Sequence, residues 1–140
     1  MKHLIAALCT AATVASCYTP LNVSDASALA GEWEITAIEG RAVNPAESEE
    51  TPFLGFDTKS KNLYGSAGCN SLTGSYSTRK GTINLSQVGC TRMLCANMET
   101  ERRVLDALSK VQGFTISPDS ILTLSGNGGT NVMTLKKKAK

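Results

Sequence analysis

The sequence is poor in the groups on which most enzymes depend. Its one histidine is His3, at the very start, so the body of the chain has no imidazole. A Ser-His-Asp triad is thereby excluded, and a cysteine nucleophile lacks its usual base. Cys90 and Cys95, in "VGCTRMLC", are spaced C-x-x-x-x-C rather than C-x-x-C, and no βαβ pattern surrounds them, against a thioredoxin-like motif. A zinc site built on Cys69, Cys90 and Cys95 would need a carboxylate as fourth ligand, and in an oxidising compartment such thiols tend to pair instead. No metal and no other cofactor is expected. Glu47, Glu49 and Glu50 share a polar loop, and Glu32 and Glu34 share one strand face, which reads as the wet side of a sheet. No two acids face each other across a recognisable cleft, as glycoside hydrolysis requires. "GNGG" has no Lys-Ser/Thr after it and reads as a turn, not a phosphate loop. The strongest enzymatic reading left is a Cys95 thiolate, favoured by the helix start that follows it and by Arg92 before it. It is weaker than the reading of a protein that is not an enzyme.

Charge of one sign is also scarce. There are 14 Lys and Arg against 12 Asp and Glu, and four of the cations are crowded into the final "KKKAK". From Gly31 to Leu135 there are nine cations and eleven acids. A nucleic-acid-binding domain would show a strong basic face, so no nucleic-acid partner is expected. The tail reads as a solvated terminus.

No apolar run is long enough to span a membrane. The longest, from Leu4 to Ala15, follows a positive start at Lys2 and is short and rich in small residues. It ends in "VASC", which resembles the lipobox of bacterial lipoproteins. The resemblance implies a signal peptide over 1–16, cleavage before Cys17, and acylation of Cys17. His3 and Cys9 would leave with the leader. Dual acylation gives a stable anchor where one chain would be marginal. Residues 17–30 then read as a lipid-anchored tether. Tyr18, rather than an aspartate, follows the cysteine, which favours the outer over the inner membrane. The domain would face the periplasm from a cell-envelope membrane, as a monomer.

The domain is read over 31–137, with 138–140 as a basic tail. In "GEWEITAIEG", Trp33, Ile35 and Ala37 alternate with Glu32, Glu34 and Thr36, a period of two that predicts a half-buried strand. "FLGFD", "KNLYGSAG", "NSLTGSYS" and "TINLSQVG" follow as strands, with "TRKGT" as a turn whose glycine takes a positive φ. One helix, about 97–112, carries Met98, Glu101, Leu105, Leu108 and Val111 at spacings of three or four, widened by Val104 and Ala107. Asn97 is its expected N-cap and Gly113 the residue past its end. "FTIS", "SILTLSG" and "NVMTLKK" complete seven to eight short strands; the facing of Ile121, Leu122 and Leu124 is ambiguous. The class is α+β, mainly β: an antiparallel meander that curls around a core, with the helix over an open end or face.

The three remaining thiols allow three pairings, each leaving one over. Cys69–Cys95 closes the long loop and is preferred, with Cys90 free and buried, because the longer loop stabilises by about 3 kcal/mol and the short Cys90–Cys95 loop by less. The alternative keeps all three reduced as small apolar core residues.

In order, "GEWEITAIEG", "GSAGCNSLTGSYS", "TRMLC", "ALSKV", "LTLSG" and "VMTLKK" resemble the META domain, or HslJ-like, family from Gly31 to Lys137. Gly68-Cys69-Asn70 with Tyr76, and Thr91-Arg92-Met93 with Cys95, are the most specific parts. The family's cysteine pattern falls on Cys69 and Cys95, and Cys90 departs from it. The resemblance implies a lipocalin-like partial barrel on one helix, an envelope or secreted location, and no catalytic residues to carry over. Family members are linked to heat shock, motility and novobiocin tolerance. Asn70, Thr91 and Arg92 match the signature; they read as structural, through turn hydrogen bonds and a loop cap, with a binding surface as the alternative. Two functions follow. One is an envelope lipoprotein that binds another envelope component in stress or drug tolerance. The other is a carrier of a small apolar ligand inside the curled sheet, which requires a cavity not filled by Trp33, Phe53, Phe56, Leu63 and the helix.

Overall fold

A computed structural model describes residues 22–85 and 87–140. The leader, Cys17 and residues 17–21 of the tether lie outside the described residues. The strands are β1 (Gly31–Ile38), β2 (Arg41–Ala42), β3 (Phe53–Asp57), β4 (Asn62–Ser66), β5 (Ser71–Ser75), β6 (Ser77–Arg79), β7 (Thr82–Asn84), β8 (Gly89–Cys90), β9 (Gly113–Ile116), β10 (Ile121–Ser125) and β11 (Asn131–Lys137). Among the described residues one α-helix, α1 (Glu99–Lys110), interrupts them, with 3-10 turns at Ala26–Leu29, Pro45–Glu47 and Asn127–Gly129. The strands form one antiparallel sheet in the order β6-β7-β9-β10-β11-β1-β3-β4-β5-β8, with β2 beside β1.

Connectivity makes the sheet curl. Only Tyr76 separates β5 from β6, yet these two strands lie towards opposite ends of the path. The ends must therefore come round to meet at this residue. Tyr76 is buried; its N–H donates to Lys61 O at 3.0 Å, and its ring meets Phe56 edge-on at 5.1 Å. The expected strand "NSLTGSYS" thus breaks in two at a corner. That break and the two-residue strands β2 and β8 account for eleven strands where seven to eight were expected. The α+β class and the curled antiparallel sheet are as expected.

Inward positions hold Trp33, Ile35, Leu54, Phe56, Leu63, Phe114, Leu122, Leu124, Met133 and Leu135, all essentially inaccessible. Leu122 and Leu124 thus face the core, and Ile121 is only half-buried. The alternation in β1 holds through Ile35 and then slips. A register shift between Ile35 and Ala37 leaves Ala37 half-buried and turns Ile38 inward. Helix α1 adds Val104, Ala107 and Leu108 to the core and lies over the end of β1, where Arg103 donates to Ile38 O and Arg41 O at 3.5 and 3.2 Å. The helix is shorter than the expected 97–112. Its N-cap is Met98, which makes no side-chain cap bond, and not the expected Asn97; Asn97 lies one residue earlier, its Oδ1 accepting from Glu99 N at 2.9 Å, and Gly113 opens β9 instead of following the helix end.

The sheet's other end is closed by a segment read as tether. Val23 exchanges both backbone hydrogen bonds with Ile116, at 2.8 and 2.7 Å. Asp25 caps the turn that follows, and Leu29 is fully buried beneath the start of β1, its carbonyl accepting from Trp33 Nε1 at 2.7 Å. The fold therefore begins before residue 31. The basic tail is also tied down further than expected. Lys138 N donates to Glu32 O at 2.9 Å and its ammonium pairs with Glu32 at 3.0 Å, while the Lys137 ammonium lies 4.4 Å from the Trp33 ring. Burial, with Lys140 nearby, pushes the Lys137 amine below its ordinary value.

Candidate functional site

The two most specific sequence blocks meet where β5 begins, against the first turns of α1. Gly68 has φ +110°, a region L side chains rarely adopt, and a Cβ there would lie 3.0 Å from Ser48 Cβ. Its N–H donates to Ser66 Oγ at 3.1 Å. Cys69 and Cys95 are joined by a disulfide, with Cα atoms 6.1 Å apart. The Cys95 sulfur is therefore engaged, which removes the thiolate reading. Cys90 is free but half-buried rather than buried, because it sits on edge strand β8, paired only with β5.

Asn70 is the centre of the arrangement and is 1% exposed. Its Oδ1 accepts from Met93 N at 2.7 Å and from Thr91 Oγ1 at 2.8 Å. Its Nδ2 donates to Met93 O at 3.0 Å and to Glu101 Oε1 at 2.8 Å. Its backbone N–H donates to Glu101 Oε2 at 2.8 Å. Thr91 Oγ1 also accepts from Ser71 N at 3.0 Å, and Thr91 N donates to Ser71 O at 3.1 Å. Asn70 and Thr91 thus act as a clasp that fastens the 91–95 loop to the sheet and the helix. Arg92 does not join it: its side chain is exposed, with no ion pair among the described residues. Glu101 is the member that sequence reasoning placed on the buried stripe without giving it a role. A carboxylate at core spacing was the available signal, and a buried carboxylate needs donors.

The clasp leaves no buried polar atom for a ligand; every buried side-chain nitrogen and oxygen among the described residues has a partner. It does leave Met93 and Leu94 outside, 58% and 93% exposed. Beside this loop, Ala46, Glu47, Ser48, Glu49, Ala96 and Asn97 line an open cleft of about 280 Å³. A second cleft, of about 440 Å³, lies by the end of α1 between Glu39, Lys110, Gln112 and the 126–132 turn. There Lys110 pairs with Glu39 at 2.6 Å and Asp106 at 2.9 Å, and its hydrogen bonds, Glu39 first, hold its pKa above the ordinary value. Among the described residues no three of His, Cys, Asp and Glu are grouped as metal ligands, and no helix is long and apolar enough to cross a membrane.

Comparison with solved structures returns the same fold. An NMR structure of a protein from Burkholderia xenovorans superposes with a TM-score of 0.71 at 22% identity, covering 94% of this chain and 98% of that one. A second NMR structure gives 0.58 at 21% identity over 77% and 89% of the two chains. A crystal structure of a DUF4847-family protein from Bacteroides vulgatus gives 0.55 at 13% identity over 80% and 95%. At these identities the likeness shows the fold alone. No curated protein matches the chain. The family model of the META domain matches residues 26–139, starting at the turn that carries Leu29. The chain belongs to the META domain family.

Proposed function

We propose that this META-domain chain is a non-enzymatic lipoprotein of the bacterial cell envelope, anchored through Cys17, that binds another envelope component in tolerance of envelope stress or drugs. The observation that carries the reading is the use made of the signature residues. Asn70 and Thr91 spend their side chains on protein partners, and Cys69 and Cys95 spend theirs on each other. Among the described residues these side chains are taken up by the fold itself, and what it offers a partner is an outer surface. The filled interior weighs against the ligand-carrier alternative, since Trp33, Phe56 and Leu63 occupy the space a ligand would need. Phe53 is the exception, only half-buried under Lys138. The lipobox at Cys17 and Tyr18 after it support a periplasm-facing, outer-membrane anchor.

The test is deletion of the gene and exposure to heat and membrane-active drugs. Loss of tolerance is expected, restored by the wild-type chain and not by Cys17→Ala. Unchanged growth across the whole panel contradicts the physiological role.

A further inference from the structure

We propose that Arg92, Met93 and Leu94 form a preorganised docking tip for a protein that offers an apolar pocket with a carboxylate at its rim; this deepens, and rests on, the binding role proposed above. Single exposed apolar residues are ordinary. What sets this pair apart is how firmly it is held outside. Asn70's amide bonds both the N–H and the C=O of Met93, and Glu101 locks Asn70 in turn. One residue beyond Leu94, Cys95 is bonded to Cys69, and its N–H reaches Met98 Sδ at 3.4 Å. Leu94 therefore projects between two fixed points and is kept from folding back onto the domain. The other large exposed apolar residues differ: Val23 lies in a bridge to Ile116, and the Tyr64 ring covers Gly55. An anchor residue whose backbone is already fixed loses little further freedom on binding, and a few such anchors in desolvated pockets carry most of an interface's energy.

Charge selects the class of partner. Arg92 lacks an acidic neighbour among the ion pairs of the described residues, so its complement is a carboxylate. The adjoining cleft, walled by Glu47 and Glu49, repels an anionic lipid surface and invites a cation. A protein can hold an apolar pocket, a carboxylate and a base in one fixed arrangement matched to a rigid tip, which the fluid headgroups of a bilayer do not.

The experiment places a photo-crosslinking residue at position 94 of the full chain in its own cells, with separate chains carrying it at Asn127 and Lys59. An adduct with one other protein from position 94 alone is expected. That protein, purified, should bind the purified chain, with affinity falling about tenfold or more in Leu94→Asp and several-fold in Arg92→Glu, and holding in Lys59→Gln. Both tip positions are exposed, and an unchanged thermal midpoint confirms that these variants fold. A captured protein whose affinity ignores Leu94→Asp overturns the tip. So does an adduct at 94 only with lipid or with a second copy of this chain. Adducts from 127 or 59 in place of 94 overturn the tip and leave the binding role standing. Adducts from none of the three overturn both.

Discussion

Asn70 commits both ends of its amide to protein atoms in a buried site, so the cost of changing it is the cost of stranding its partners. Asn70→Ala should lower stability by about 2–3 kcal/mol in urea unfolding, because buried Glu101 loses a donor it cannot replace from water and the Met93 N–H and C=O lose the partner that holds their loop. Combined with Glu101→Gln, the losses should be clearly non-additive in a double-mutant cycle, since the two side chains share hydrogen bonds. Replacing Cys95 by alanine opens a link across a sequence separation of 26 and should cost about 3 kcal/mol. At this scale the sequence is legible through the family resemblance, which marks Gly-Cys-Asn and Thr-Arg-Met with a cysteine, and through loop length, which favours the Cys69–Cys95 pair. The bond from Asn70 to Glu101 was not legible, because it joins residues 31 apart through a fold that has to exist first.

Among the elements, period-two spacing located β1 and helical spacing located α1, because each buries one face. They failed where the backbone departs from the ideal. The slip in β1 put Ile38 inside in place of Ala37, and nothing in the run "ITAI" announces a bulge. A two-residue strand such as β8 has no period to detect. The closing turn at Ala26–Leu29 is one leucine among small residues, so composition made it look like a linker. Leu29→Ala tests that correction. It should cost about 2–5 kcal/mol, as expected for a leucine removed from a packed core, whereas a residue in a tether would cost nothing measurable.

Across the whole molecule, the lack of histidine among the described residues removes the group that titrates near neutrality. Asp25 and Asp57 are held below the ordinary 3.8 by N–H donors, chiefly from Ser27 and Ser60. Their depressed pKa values give a contribution fully present above 3.8 and lost as pH falls through the folded values. Lys110, raised above 10.5 chiefly by Glu39, contributes fully below 10.5 and loses that contribution as pH rises through the folded value. These groups are exposed, so their effects are small and screened by salt. Urea midpoints should therefore stay level through the neutral range and fall gently towards either extreme. A step near neutral pH would contradict this.

The account rests most heavily on the clasp as structure, with its sulfurs joined and Cys90 left over. Intact mass of the protein purified from its own membranes, alkylated under denaturing conditions with and without reduction, tests this directly. The account predicts a chain that starts at Cys17 with a lipid-sized increment, one alkylated thiol before reduction and three after. Three alkylated thiols before reduction would contradict it and return Cys69, Cys90 and Cys95 to the list of reactive groups.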